Sequence, residues 1–158
     1  DKEIFLLQSK LPYEIALLSD KQKQVTFYKS KTVYTTGDSI YRENSDIFFN
    51  KETHYAVQEN TRTLDEVILS RKIENIDLIK IDVQGSEKDV ILGGMHTIIG
   101  AKYVILELSL REYNIGSPLF TEMIFLMHSI GYRTYDIIDM LYIDARLTQI
   151  DVIFERIK

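Results

Sequence analysis

Between Ile76 and Glu87 the chain runs Ile-Asp-Leu-Ile-Lys-Ile-Asp-Val-Gln-Gly-Ser-Glu, an apolar strand that ends by delivering an acid into a glycine turn. The near-continuous apolar positions Ile76, Leu78, Ile79, Ile81 and Val83 suit a parallel strand covered on both faces. Lys80 and Asp82, two residues apart, point to one side of it. Gly85 permits a turn with positive φ, and Ser86-Glu87-Lys88-Asp89 reads as a helix start with acids in its first turn. Open α/β folds keep their chemistry at the carboxyl ends of such strands, where Asp82 sits. An Asp and a Ser in a strand-to-helix turn also satisfy backbone donors, so the turn alone leaves a structural role open.

The rest of the chain alternates strands and helices, the pattern of a parallel α/β sheet. Glu14–Leu18 and Val25–Lys29 are short strand candidates. Thr63 and Glu66 form a capping box ahead of Leu64, Val67 and Ile68 on one helix face. After the strand Ile76–Val83, a helix from Glu87 to about Leu92 stops at Gly93-Gly94, with a further helical turn before the strand Tyr103–Leu108. Ser117-Pro118 opens a helix carrying Leu119, Phe120, Met123, Ile124, Met127 and Ile130 at helical spacing, and Gly131 ends it. Two strands, Arg133–Ile138 and Gln149–Arg156, close the chain, joined by a loop rich in Asp, Met and Tyr. Ser30 to Arg62 reads as one long irregular stretch that carries Tyr34, Tyr41, Phe48, Phe49 and Tyr55. Such a stretch is a lid, a binding segment, or a surface loop anchored by its aromatics.

Composition narrows the function classes. The 158 residues are 45% hydrophobic, enough for one ordinary core. The net charge of −5 and the lack of a basic run argue against nucleic acid as the main partner. With no cysteine there is no disulfide, thiolate metal site or cysteine nucleophile, and a reducing, cytoplasmic location is the compatible expectation. No apolar run reaches the length of a membrane span. His54, His96 and His128 show no ligand spacing; His96 reads as a turn residue and His128 as a partly exposed helix residue. Asp82, Glu87 and Glu107 lack a fixed coordinating spacing, so no metal site is expected.

The same residues carry a family resemblance. Lys80-Ile81-Asp82-Val83-Gln84-Gly85-Ser86-Glu87, followed by an Ile/Leu-rich helix ending in glycine, resembles the Lys-x-Asp-Val-Glu-Gly-x-Glu signature of FkbM-family methyltransferases. Glu14-Ile15-Ala16-Leu17-Leu18-Ser19-Asp20, Thr63-Leu64-Asp65-Glu66, Val104-Ile105-Leu106-Glu107, Gly131-Tyr132 and Gln149–Phe154 are similar to further segments of that family, in the same order. Gln84 departs from the signature, which has Glu there. The resemblance implies a Rossmann-like class I methyltransferase sheet, S-adenosylmethionine as cofactor, and O-methylation of a hydroxyl on a small-molecule, sugar, glycan or polyketide-type acceptor. A carboxylate at a strand end can take up the hydroxyl proton, and by position Asp82 is the candidate catalytic group, with Glu87 and Glu107 as supporting acids. Ala16, Leu17, Asp82 and Gly85 are the implied cofactor-binding residues, and Lys80, Ser39 and Tyr41 the implied substrate-binding ones.

The Gly-rich turn that would cradle the cofactor has no counterpart, because no Gly-x-Gly occurs anywhere in the chain. The expectation is therefore a single, N-terminally incomplete methyltransferase domain over residues 1–158, lacking the first two strands and closing with an antiparallel pair. Such a chain should bind the cofactor weakly by itself, and a non-catalytic binding or structural module derived from a methyltransferase is the alternative. In the class I strand order 3-2-1-4-5-7-6, Ile76–Val83 would be left with a bare edge. That edge would be met by chain preceding Asp1, by Glu14–Leu18 lying directly against it, or by a second copy in a homo-oligomer.

Overall fold

A computed structural model describes residues 12–31, 37–44 and 52–157. Of the aromatics expected in the irregular stretch, Tyr34, Phe48 and Phe49 lie outside the described residues. In chain order the elements are β1 (Leu17–Leu18), β2 (Gln24–Ser30), β3 (His54–Arg62), α1 (Leu64–Ser70), β4 (Leu78–Ile81), α2 (Glu87–Gly93), α3 (Met95–Gly100), β5 (Tyr103–Ser109), α4 (Phe120–Ser129), β6 (Tyr132–Ile143) and β7 (Arg146–Arg156).

The strands form a three-stranded sheet ordered β1-β3-β2 and a four-stranded sheet ordered β4-β5-β7-β6. β4 runs parallel to β5, while β7 is antiparallel to both β5 and β6. The expected closing antiparallel pair is thus present. The core belongs to the second sheet. Val104, Leu106 and Leu108 alternate along β5 and meet Ile150, Val152 and Phe154 of β7, with Val90, Ile91, Ile98, Met123 and Met127 of the helices packed over them. Alternation sends Glu107 to the other side of β5 from Leu106 and Leu108.

Several expectations change. Glu14–Leu18 does not rest against Ile76–Val83. Its strand is only Leu17–Leu18, and it pairs in parallel with Thr61 and Arg62 of β3. Glu14 is outside the strand, bound instead to the guanidinium groups of Arg62 and Arg71. β4 is an edge strand whose outer side has no strand partner among the described residues. Ser30 to Arg62 is not irregular throughout, because β3 makes a seven-pair antiparallel ladder with β2. That strand is largely exposed on both faces, so no apolar alternation marks it.

The closing hairpin is longer than expected. The loop rich in Asp, Met and Tyr is strand up to a two-residue turn, Asp144-Ala145, in which both residues have positive φ (51° and 58°). Irregularities between Thr134 and Asp136, Ile137 and Asp139, and Leu141 and Tyr142 break the period of two and hide the continuation of β6 beyond Ile138. Strand β4 is shorter than Ile76–Val83, which places Asp82 just past its end. Helix α4 begins at Phe120 and not at Ser117, whose Oγ donates to the Asn114 carbonyl in the preceding turn at 2.8 Å. His96 sits in helix α3 and not in a turn, and is exposed. The Thr63–Glu66 capping box forms as expected.

Candidate active site

The register of the larger sheet builds an acidic row. Ile81 pairs with Leu106, so Asp82, one residue on, is level with Glu107; Glu107 in turn pairs with Asp151 of β7. Three carboxylates, one just past the end of β4 and one each from β5 and β7, therefore lie side by side at the carboxyl ends of β4 and β5. Lys80 sits one step back on the same side of β4. Its Nζ is 3.3 Å from Asp82 Oδ2 and 3.6 Å from Asp151 Oδ2. The Asp82 hydrogen bond, with the Asp151 charge behind it, raises the Lys80 pKa and keeps it an ammonium.

Two glutamines complete the row. Gln84 Nε2 donates to Asp82 Oδ1 at 3.2 Å and to Glu107 Oε2 at 3.0 Å, and Gln149 Nε2 donates to the same Glu107 Oε2 at 3.0 Å. Asp82 is thereby engaged at both oxygens, by Lys80 and by Gln84. Burial pushes the Glu107 carboxyl up to about 7, with the charges of Asp82, Glu87 and Asp151 adding to the rise and Lys80 opposing it. A carboxyl poised there exchanges a proton at neutral pH, which the exposed surface acids of an ordinary protein do not.

The turn that presents Gln84 is held from below. Gln84 and Gly85 have φ of 55° and 100°, both left-handed. A Cβ at Gly85 would lie 2.9 Å from Ser117 Cβ and 3.1 Å from Asn114 Cβ, so space and backbone together require glycine. Buried Glu87 ties the turn: its Oε1 accepts from the Val83 and Gly85 amides at 3.2 and 3.1 Å. Burial raises its pKa, and those backbone bonds oppose the rise. Ser39 is buried, donates from Oγ to the Gln84 carbonyl at 2.7 Å and accepts from the Tyr41 amide at 2.9 Å. Tyr41 donates its hydroxyl to Asp89 of α2 at 2.9 Å, and burial and that carboxylate push its pKa well up. The geometry makes Ser39, Tyr41 and Glu87 supports of the turn.

Ala16 and Leu17 stand apart from the row. They lie at β1, which meets the far end of α2, where a Cβ on Gly93 would fall 2.0 Å from the Ser19 carbonyl. Asp82 and Gly85 are at the other end of that seven-residue helix, about 10 Å away at 1.5 Å per residue.

Sequence reading missed Gln149 and Asp151, although polar residues interrupting the apolar run Ile150 to Phe154 were a usable signal. It also missed Glu43, Tyr113 and Asn114. Glu43 and Asn114 form a β-bridge, and Glu43 Oε1 and Asn114 Oδ1 are both buried without a hydrogen-bond partner among the described residues. Burial, with Glu43 beside it, pushes the Tyr113 hydroxyl up to about 12.

A cleft of about 520 Å³ opens at the opposite, amino end of β4, lined by residues that include Ile76, Asp77, His96 and Lys102. The acidic row does not line it. Among the described residues no group of three or more His, Cys, Asp or Glu is arranged to hold a metal ion, and no helix is long and apolar enough to cross a membrane.

Comparison with known proteins gives two matches. The model of the methyltransferase FkbM domain matches residues 4–134. The chain is also 30% identical over 110 residues to the 2-O-methyltransferase NoeI of Sinorhizobium fredii (strain NBRC 101917 / NGR234), covering 63% of this chain and 44% of that protein. The chain thus spans less than half the length of that relative. No solved structure matches it.

Proposed function

The chain belongs to the FkbM methyltransferase family, and on that premise we propose that it serves S-adenosylmethionine-dependent O-methylation of a hydroxyl, on a sugar, glycan or polyketide-type acceptor. The observation that carries this reading is the acidic row at the strand ends, with Glu107 as its member titrating near neutrality. The order β4-β5-β7-β6, with β7 reversed, supports the 4-5-7-6 half of a class I sheet.

The residues present fit a cationic ligand, because Asp82, Glu107 and Asp151 line one face with Lys80 among them. When bound, the cofactor supplies a methyl group on a sulfonium. Asp82 and Gly85 would hold its sulfonium end, and Ala16 and Leu17, about one nucleoside's length away along α2, its adenine end.

Transfer joins the methyl carbon to the acceptor oxygen as its bond to sulfur breaks, and the hydroxyl proton must leave. Glu107 takes that proton. Its carboxyl titrates near 7, where a general base works best. Asp82, first choice by sequence position, is less free to receive the proton because Lys80 and Gln84 occupy both of its oxygens. Lys80, fixed as an ammonium, orients the acceptor hydroxyl through its charge. The distant 2-O-methyltransferase supports oxygen as the methylated atom.

The test is to supply the purified protein with methyl-labelled S-adenosylmethionine and a panel of sugars and oligosaccharides. Label should appear as an O-methyl ether. Label on nitrogen or carbon, or binding without transfer across the panel, would overturn the reading.

A further inference from the structure

Gln84 stands where the family signature has glutamate, and in this fold its amide joins Asp82 to Glu107. Its backbone adopts a left-handed φ of 55°, unusual for a residue with a side chain. The turn below is fixed by Glu87 and by Ser39, whose hydroxyl holds the Gln84 carbonyl. The side chain is therefore aimed by its own backbone, and the aim is between Asp82 and Glu107. The amide nitrogen, with its two N–H groups, faces an oxygen of each carboxyl, so the orientation of the amide follows from its neighbours. Gln149 donates to Glu107 from the β7 side, and both amides converge on Oε2; Oε1 accepts from neither.

We propose that Gln84 is a positioning residue, whose amide ties Asp82 to Glu107 and, with Gln149, fixes which carboxylate oxygen of Glu107 faces an acceptor hydroxyl. The proposal rests on the reading of Glu107 as the base and adds how that base is held. Glutamate at position 84 would instead set a third carboxyl within hydrogen-bond distance of two others. The groups facing Glu107 would then be Lys80 from β4, Asp82 from the turn after it, Asp151 from β7, Glu87 from α2, Tyr113 from the segment after β5, and the new acid. Like charges at that spacing resist ionising together, so a third carboxyl would raise the pH at which Glu107 gives up its proton. Glutamine keeps the geometry, supplies a donor to the ionised form of Glu107, and leaves one fewer negative charge in the row.

The deciding experiment is a carbon-13 carboxyl NMR titration of Glu107 in the whole chain, the signal being identified by its loss in Glu107→Gln. In the parent the midpoint should fall near 7. Gln84→Asn keeps an amide and tolerates the left-handed backbone, but is one methylene too short to reach both acids. It should raise the midpoint by about 1 pH unit, the loss of one hydrogen bond to the charged form. Gln84→Glu should raise it further and split the titration into two steps. Should Gln84→Glu not fold, Gln84→Asn and Gln149→Met, which removes the other donor, carry the test. Midpoints within about 0.3 pH unit of the parent in these variants would overturn the clamp, whatever methyl transfer does. Full methyl transfer by Glu107→Gln, with the titrations moving as expected, would overturn the base reading and leave the clamp standing.

Discussion

Replacing Glu107 by glutamine should make the protein more stable and less active, with the stability gain appearing only as pH rises. The Glu107 carboxyl titrates at about 7 in the fold against an ordinary value of 4.5, chiefly because burial penalises its charge. Below about 4.5 it is protonated whether the chain is folded or not, and the native state bears no penalty. As pH rises through about 7 the folded protein must bury a charge that the unfolded chain leaves in water, and stability is lost. At about 1.4 kcal/mol per pH unit the ceiling is roughly 3.5 kcal/mol. Glu107 keeps enough contact with solvent to be screened, so about 1–2 kcal/mol is the expected size. Glu107→Gln removes the charge, while its amide carbonyl still accepts from Gln84 and Gln149. Urea unfolding at pH 4 and pH 8 is the assay. The variant should match the parent at pH 4 and exceed it by about 1–2 kcal/mol at pH 8, which is a few degrees in Tm for a chain of this size. A difference of equal size at both pH values would refute the argument, since a packing effect would not follow the proton.

Three further outcomes test the scaffold. Gly100→Ala, with nothing within 4 Å of its new Cβ, should stabilise α3 by roughly 0.5–1 kcal/mol. Gly93→Ala, whose Cβ would meet the Ser19 carbonyl at 2.0 Å, should destabilise by about 1–3 kcal/mol. Urea melts of the two variants should therefore move in opposite directions, and a shared sign would contradict the close β1–α2 approach. Tyr132→Phe removes the buried hydroxyl that serves the Ile98 and Ala101 carbonyls and should cost about 1–3 kcal/mol in the same assay. Asp136 and Asp139 accept at 2.8 Å from the Ile137 and Met140 amides on the exposed edge strand β6. Replacing both by alanine should bare those donors beside Tyr135, Ile138 and Leu141, and light scattering should report association that the parent lacks.

What the sequence revealed of this fold followed from local rules. The Thr63–Glu66 capping box, the glycine stop at Gly131 and the strand-to-turn segment ending at Gly85 are each specified by neighbours in the chain, and each stands where sequence placed it or within a few residues. Strand β3 escaped because its residues are mostly polar and exposed, so neither period nor burial marks it. The half of strand β6 beyond Ile138 escaped because its bulges break alternation. In the site, Asp82, Glu87 and Glu107 were visible as acids near strand ends, but their division of labour was not. Which carboxylate faces Lys80, which one lies under the turn and which one is raised toward neutrality depend on cross-strand register. Gln149 and Asp151, more than 60 positions beyond Asp82, enter only through that register.

Whether Glu107 accepts the acceptor's proton during methyl transfer is decided by a pH–rate profile of single-turnover transfer in the parent, Glu107→Gln and Asp82→Asn. The parent rate should climb with pH and level off above about 7. Glu107→Gln should lose the climb and fall by about two to four powers of ten, whereas Asp82→Asn should keep the climb with its midpoint moved down, because a neighbouring negative charge has gone. A Glu107→Gln profile that retains both the rate and the midpoint of the parent would contradict the account.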